Sequence, residues 1–417
     1  MAEIRAFAAY RPAEGMAERI AALPYDVYNR AEAKAVVEKN PDSFLAIDRA
    51  ETSFDDSVDT YADEVYAKAS SMLWERIEKG DFVKEAAPCY YLYELTMNGR
   101  VQSGIVGCAS IDDYESGVIK KHENTRADKE ADRIRHVDSC NAQTGPIFLA
   151  YRQTEALRSL MNRTRENAAL YDFTADDGIR HRVFVIDKAE DIALVHDEFG
   201  MMNALYIADG HHRCASAVRV GQKRRAENPA HTGEEEYNYF LSVIFPDEEL
   251  MIMDYNRLLL DLNGRSADEL KEELKKLFEL SESDGQYHPA CKGELGMYLA
   301  GKWYRLSMKE ELKSDDPVEG LDVAILQKQV LDPLFGIKDP KTDKRIEFIG
   351  GIRGLNELER RVNGLPQPGV AFAMFPTSIT ELFAVADAGK LMPPKSTWFE
   401  PKLRSGLFIH AIGGSPE

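Results

Sequence analysis

The segment Ala-Leu-Tyr-Ile-Ala-Asp-Gly-His-His-Arg, at positions 204–213, constrains the fold of this chain more than any other. The short apolar run at 205–208 predicts a buried strand, and Asp209 and Gly210 predict a tight turn. The helix-forming residues at 211–220 predict a helix that begins directly after the turn. Strands and helices alternate irregularly along the rest of the chain, which predicts a mixed α/β (α+β) fold with a mixed sheet.

The start of this helix has the chemistry of an anion site. Gly210 allows a tight backbone path, and the first N–H groups and the dipole of a helix are positive. His211, His212 and Arg213 add donors at the same end, which suits a phosphate or a carboxylate. An ordinary Asp-Gly turn without a ligand is the alternative interpretation, because short motifs also occur by chance.

A zinc site is the less favoured interpretation of the two adjacent histidines. Neighbouring residues on a helix point about 100° apart, whereas helical zinc ligands usually stand three or four residues apart. No Cys or His close to His211 and His212 in the sequence completes such a ligand set. The sequence therefore assigns no metal ligands here.

A second polar segment lies upstream of this turn. Arg126, Lys129 and Arg133 are spaced by three and four residues, so a helix would stack them on one face. A solvated face with ion pairs is the alternative. Glu123 precedes this predicted helix, next to His122 and two lysines, a position suited to general-base work on a hydroxyl group. The cationic groups could clamp a transferring phosphoryl group.

Three local patterns give predictions for individual elements. Asn98 and Gly99, between apolar runs at 90–97 and 101–110, predict a β-hairpin. The run at 44–47 predicts a strand, and residues 57–80 predict a long amphipathic helix that ends at Gly80.

Composition excludes several classes of protein. The net charge of −19 argues against nonspecific binding to nucleic acid or to an anionic membrane, although a local basic pocket still attracts a small anion. Five scattered cysteines suggest reduced thiols and a cytoplasmic protein. No apolar stretch has the length of a membrane span. The Walker, Rossmann and G-x-S-x-G patterns are absent from the sequence.

Four motifs in order along the chain resemble a large bacterial family, the domain-of-unknown-function family number 1015. They are Leu-Pro-Tyr-Asp-Val at 23–27, Lys-His-Glu-Asn-Thr at 121–125 with Lys129 and Arg133, Ile-Ala-Asp-Gly-His-His-Arg at 207–213, and Met-Pro-Pro-Lys-Ser-Thr at 392–397. That family is related to the ParB/sulfiredoxin-like superfamily, which includes free-serine kinases. In that superfamily a Gly-x-x-Arg turn at a helix start binds nucleotide phosphate, and Gly210 to Arg213 match it.

The resemblance implies a ParB/sulfiredoxin-like nucleotide- and phosphate-binding core with additional subdomains. We expect the core at residues 1–250 and a C-terminal α+β subdomain at 251–417. The residues expected to bind phosphate or nucleotide are Gly210, His211, His212, Arg213, Lys129 and Arg133. The residues expected elsewhere in the cleft are Arg11, Asp26, His122, Arg126 and Lys395.

The function that these expectations favour is a nucleotide-dependent phosphotransferase acting on a small hydroxy amino acid, free serine or phosphoserine. ATP or ADP with Mg²⁺ would be its cofactors, and Asp209 would be a partner for the metal or for the hydroxyl group. The catalytic candidates are Glu123, Asp209 and His212. A phosphoserine phosphatase and a non-catalytic nucleotide sensor are the alternatives. The expected partners are a nucleotide and a small-molecule substrate, with a homodimer left open.

Overall fold

The chain divides into two compact units. The computed structural model describes residues 1–125 and 127–414. The first unit comprises residues 1–250 and the described residues from 401 onward, and the second comprises residues 251–400. The sequence analysis placed 251–417 together, but the chain returns to the first unit at 401. There Ile409 and Tyr10 exchange backbone hydrogen bonds, and strand His410–Ala411 pairs with Ala142–Gln143.

A mixed sheet forms the centre of the first unit, with nine strands counted over the described residues. Their order is Ile119–Lys120, Leu205–Asp209, Ile147–Tyr151, Tyr239–Pro246, Arg100–Ser110, Tyr90–Met97, Arg180–Ile186 and Tyr171–Thr174, with Ile4–Arg5 also paired to Arg100–Ser110. The first and second strands of this order are parallel, as are the third and fourth. The remaining pairs are antiparallel. The predicted mixed α/β class is confirmed.

The first unit contains helices with the bounds Ala17–Ile20, Arg30–Lys39, Leu45–Asp48, Asp63–Lys79, Ile111–Glu115, Ala127–Cys140, Glu155–Arg165, Ala189–Gly200 and His211–Glu227. One apolar cluster joins strand residues such as Leu149, Ile207 and Ile244 to Ala217 and Val218 of the last of these helices. The first four helices contribute instead to a separate apolar cluster that includes Ile20, Ala33, Leu45 and Leu73. A two-stranded pair, Tyr10–Pro12 with Phe82–Lys84, lies outside the main sheet.

The hairpin prediction is confirmed and one strand prediction is wrong. Asn98 and Gly99 adopt φ values of 50° and 79°, as a two-residue hairpin turn of type I′ requires. Residues 44–47 were expected as a strand, but Leu45–Asp48 is a turn of helix. Its side chains are buried on all sides, and a short apolar run does not distinguish a buried strand from a buried helix.

The second unit is built on an antiparallel sheet of six strands within its described residues. The order is Phe278–Ser283, Lys302–Met308, Glu294–Leu299, Val370–Met374, Tyr255–Leu259 and Ile346–Gly350. Its α-helices are Ala267–Leu277, Asp322–Leu326, Asp332–Phe335, Leu355–Asn363 and Ile379–Asp387. Strands Ile252–Met253 and Trp398–Phe399 pair antiparallel at the two ends of the unit. None of the described helices has the length and apolar character needed to cross a membrane.

Candidate functional site

Sheet topology brings the two polar segments of the sequence to one edge of the first unit. Strand Ile119–Lys120 runs parallel to Leu205–Asp209, with Ile119 opposite Leu205. The carboxyl ends of two parallel strands lie at the same edge of a sheet. The chain that leaves the first strand carries His122, and the chain that leaves the second carries His211. Their imidazole rings meet edge to face, with centroids 4.6 Å apart and planes at 88°.

Gly210 forms the turn between strand and helix, and its lack of a side chain makes room for Arg213. Its φ of 88° lies in the left-handed region that favours glycine. A Cβ atom at Gly210 would lie 3.1 Å from both Nε and Nη2 of Arg213. A Cβ atom at Gly145 would lie 3.3 Å from Nη1 of the same side chain, which donates a 2.7 Å hydrogen bond to the Pro146 carbonyl. The guanidinium therefore depends on two glycines for its position.

The helix that follows the turn directs backbone donors outward, as an anion site requires. Cys214 donates to the Gly210 carbonyl at 2.9 Å, which is the type of bond that starts an α-helix. The N–H groups of His211, His212 and Arg213 lie in the turn before this bond, where a helix has no internal acceptor for them. A helix start of this kind suits a phosphate or carboxylate oxygen.

Asp209 is held ionised beside this helix start. Its carboxylate accepts the Gly210 N–H at 2.8 Å and the Lys402 ammonium at 2.9 Å. Burial acts to raise the pKa of Asp209, but the charges of Lys402 and Arg213 outweigh it and hold the pKa well below its ordinary value. A carboxylate this acidic is a weak base, so its chemistry is that of a ligand or a hydrogen-bond acceptor.

Two neighbouring cavities bring Arg133 and Arg213 together. Arg133 extends from the helix Ala127–Cys140, stacks its guanidinium 3.9 Å from the ring centre of Tyr25, and donates to Asp132 at 3.0 Å. One cavity, of about 290 Å³, is lined by residues that include Tyr25, Asp26, Lys129, Asp132 and Arg133. A smaller cavity shares Tyr25 and Arg133 with it and is also lined by Arg213, Thr144 and Ser405.

The two buried histidines are neutral, and their surroundings leave polar atoms unsatisfied. Burial lowers the pKa of His122 to about 4, and burial together with the neighbouring His122 ring lowers the pKa of His211 well below its usual value. Both ring nitrogens of His122 and Nε2 of His211 lack a hydrogen-bond partner among the described residues. Leaving one buried polar atom unsatisfied costs about 1–3 kcal/mol, so burial of this pair lowers the stability of the folded protein.

Glu123 completes a cluster with these two rings. One atom from each of His122, Glu123 and His211 lies within 4.8 Å of the other two, an arrangement that could hold a metal ion. No Cys or His close to His211 and His212 along the chain completes a ligand set. In the structure, His122 and Glu123 reach His211 from a segment about 90 residues upstream.

The remaining residues named from the sequence lie in different places. Arg11 forms an ion pair with Glu85 and donates to the Tyr171 hydroxyl, and it does not line either cavity. Lys395 belongs to the second unit, where its ammonium lies 5.8 Å from the ring centre of Tyr255. Arg126 lies outside the described residues.

Sequence reasoning did not identify several residues that the structure places at the site. Asp48 and His136 line both cavities, Ser405 lines the smaller one, and Lys402 binds Asp209. Lys402 and Ser405 lie beyond residue 400, and Asp48 directly follows the segment that was predicted as a strand. A local sequence pattern does not indicate contacts between residues that are far apart in the chain. The role of these positions is therefore visible only in the tertiary structure.

The chain belongs to the family described as Protein of unknown function (DUF1015), whose model matches residues 4–324. This confirms the family resemblance seen in the sequence. No curated protein matches the chain.

Several solved structures are similar to this chain at low identity and low TM-score. A free serine kinase mutant in complex with ADP is 16% identical, covers 72% of this chain and 88% of its own, and has a TM-score of 0.36. SbnI from Staphylococcus aureus, with a C-terminal truncation, is 12% identical, with 71% and 82% covered and a TM-score of 0.37. A conserved hypothetical protein from Pyrococcus furiosus is 16% identical, with 71% and 91% covered and a TM-score of 0.34. Because these identities and TM-scores are low, what the site binds has to be inferred from the residues of this chain.

Proposed function

We propose that this protein is a nucleotide-dependent phosphotransferase that acts on a small hydroxy amino acid, with free serine as the first substrate to test. The observation that carries the proposal is the convergence of Arg133 and Arg213 on one small cavity of about 30 Å³, beside the helix start at Gly210. This cavity shares Tyr25 and Arg133 with the neighbouring cavity of about 290 Å³. Phosphoryl transfer needs positioned positive charge more than covalent chemistry by the protein. Two arginines beside one carboxylate, Asp48, are a local concentration of positive charge in a protein of net charge −19.

Arg133 and Arg213, which line the small cavity, divide the work of the transfer with the helix start, Asp209 and Glu123, which line neither cavity. Arg213 and the first backbone N–H groups of the helix hold the phosphate chain of ATP or ADP. Arg133 stabilises the charge that develops on the transferred phosphoryl group. Glu123, half-buried at the same sheet edge, accepts the proton of the serine hydroxyl as its oxygen bonds to phosphorus and the bond to the departing nucleotide breaks. Mg²⁺ would neutralise the nucleotide, with the ionised Asp209 as its carboxylate partner.

The test is direct. Purified protein is incubated with serine, Mg²⁺ and either ATP or ADP, and phosphoserine is measured by mass spectrometry. We expect phosphoserine with at least one nucleotide. We expect Arg213→Ala to weaken nucleotide binding about tenfold or more, as the loss of a charged hydrogen bond of about 1.5–3 kcal/mol implies. We expect His212→Ala to weaken it about threefold or more, as the loss of an ordinary hydrogen bond implies. Arg180→Ala is the matched control, because Arg180 pairs with Asp172 at an exposed position on another strand.

Two outcomes would replace the proposal with another function. Release of inorganic phosphate from phosphoserine in nucleotide-free buffer would show a phosphatase. Tight nucleotide binding without turnover, unchanged by Glu123→Gln, would show a sensor. If neither nucleotide gives a phosphorylated product with serine or with any of a panel of hydroxy compounds, the protein is not such a kinase.

A further inference from the structure

The cluster of His122, Glu123 and His211 contains features that phosphate binding alone leaves unexplained. We propose that these three side chains bind a divalent transition-metal ion, with Zn²⁺ as the preferred ion, separate from the Mg²⁺ that accompanies a nucleotide. Their ligand atoms lie within 4.8 Å of one another, and both rings are buried. The inference goes beyond the proposed function, because it concerns a resident metal and is measured without nucleotide or serine.

The donor set matches that of a zinc site with an open position. Two imidazole nitrogens and one carboxylate oxygen are the protein ligands of many catalytic zinc sites, whose fourth ligand is water or substrate. Ligand atoms around a tetrahedral zinc at about 2.0–2.2 Å lie about 3.3 Å from one another. The three ligand atoms lie within 4.8 Å of one another, so zinc binding draws them together by at most about 1.5 Å.

The unsatisfied ring nitrogens point to a ligand. A buried histidine normally gives its ring nitrogens to a carbonyl, a carboxylate or a water molecule. Among the described residues, no hydrogen bond of good geometry satisfies either nitrogen of His122 or Nε2 of His211, although the backbone of Ile207 interacts with the His122 ring. The edge-to-face packing of the rings does not supply one. A metal ion takes the lone pair of one nitrogen from each ring and so satisfies two of these three nitrogens.

The charges around the cluster also suit a cation. Both rings are buried, and a metal ion binds an imidazole through a ring nitrogen that carries no proton. Glu123 contributes a negative charge, and the ionised Asp209 acts on both rings from the adjacent turn. Lys121 acts on His211 in the opposite direction, and its side chain is exposed to solvent.

The type of donor favours zinc over magnesium. Mg²⁺ prefers oxygen ligands in an octahedral arrangement and retains several waters. Imidazole suits Zn²⁺ and its neighbours in the first transition series. Glu123 binds such an ion through one oxygen and keeps the second for the proton of a substrate hydroxyl, so its two roles are compatible.

The experiment uses the full-length protein and Zn²⁺ alone. After chelation and dialysis, Zn²⁺ is titrated by calorimetry and bound metals are measured by mass spectrometry. We expect saturable binding of one Zn²⁺ per chain, undiminished by excess Mg²⁺, and a visible spectrum of tetrahedral Co²⁺ when cobalt replaces zinc. His122→Ala and His211→Ala should each weaken Zn²⁺ binding about 100-fold or more, since the loss of even an outer-shell partner lowers metal affinity 10–100-fold.

A matched histidine separates this site from adventitious binding. His196 lies on an exposed helix surface next to Asp197, and His196→Ala should bind Zn²⁺ as the unaltered protein does. Circular dichroism checks that each variant is folded. Absence of saturable Zn²⁺ binding, or equal affinity in His122→Ala and His211→Ala, would overturn the proposal. If Glu123→Gln loses phosphotransfer but keeps full Zn²⁺ affinity, Glu123 is the base of the reaction and not a metal ligand, which also overturns the three-ligand site.

Discussion

Gly210 is the residue on which the position of Arg213 depends. Its backbone lies in the left-handed region, and a Cβ atom at this position would lie 3.1 Å from the Arg213 guanidinium. Any other residue pays a backbone cost and also displaces the arginine from the Pro146 carbonyl. These two effects are separable, because other glycines of the first unit have the same backbone conformation with nothing near them.

Gly210→Ala should lower both stability and anion affinity. The left-handed conformation costs an alanine about 1–2 kcal/mol in the free energy of unfolding. The new methyl group also moves Arg213, so we expect nucleotide affinity to fall about tenfold. Gly178→Ala is the matched control, since Gly178 has a φ of 79° and no atom within 4 Å of its Cβ position. It should lose similar stability in urea unfolding and keep its nucleotide affinity; equal affinity losses in both variants would contradict this account.

Asp322 in the second unit gives a pH-dependent prediction. Burial raises its pKa to about 6, although the Gly293 N–H donates to its carboxylate and opposes this effect. The same group titrates near 3.9 in an unfolded chain. Because the folded pKa is the higher one, the ionised form is disfavoured in the fold, and the protein loses stability as pH rises from about 4 to about 6. The loss is complete at pH 7.

Asp322→Asn should therefore remove this loss. The asparagine keeps an acceptor for Gly293 and carries no charge. We expect the variant to be more stable than the unaltered protein by about 3 kcal/mol at pH 7, given about 1.4 kcal/mol for each unit of pKa difference, and nearly equal to it near pH 4. Urea unfolding at pH 4, 5.5 and 7 measures this. Asp268→Asn, at an exposed position beside Lys271, should show no such gain, and a constant difference at all three pH values would refute the assignment.

At the scale of elements, the parallel pairing of Ile119–Lys120 with Leu205–Asp209 builds the site. The strand, the Asp-Gly turn and the helix at 205–227 were predictable, because the apolar run, the turn residues and the helix formers follow one another locally. The metal ligands were not predictable in the same way. His122 and His211 become neighbours only through a pairing between strands about 85 residues apart, for which neither segment carries a local signal.

The same pairing predicts that the position of His122 depends on the length of the segment that leaves the strand. One glycine inserted between Lys120 and Lys121 would shift His122 and Glu123 along the chain and away from His211. We expect Zn²⁺ binding to fall to background in this variant, while circular dichroism remains unchanged. A glycine inserted after Gly178, in the turn before strand Arg180–Ile186, should leave Zn²⁺ binding intact. Full Zn²⁺ affinity in the first variant would show that the ligands lie elsewhere.

At the scale of the molecule, the candidate site is contained in one unit. Arg133, Arg213, Asp209, Lys402 and the His122 cluster all belong to residues 1–250 or to the segment from 401 onward. The second unit has its own sheet and its own apolar cluster, which includes Leu258, Trp303 and Leu358. The family resemblance led us to expect a boundary near residue 250. The sequence did not predict the return at 401, since no composition change marks that point.

Removal of the second unit tests whether the first folds and binds by itself. The unit begins and ends side by side, because Ile252–Met253 pairs antiparallel with Trp398–Phe399. Paired strands lie about 5 Å apart, so a three-residue Gly-Ser-Gly linker, about 10 Å long when extended, can join residue 250 to residue 401. We expect this shortened chain to unfold cooperatively and to retain Zn²⁺ and nucleotide affinities within about threefold, and residues 251–400 alone to fold without binding either. A shortened chain that is folded by circular dichroism but binds neither ligand would show that the second unit supplies essential residues, with Lys395 as the first to examine.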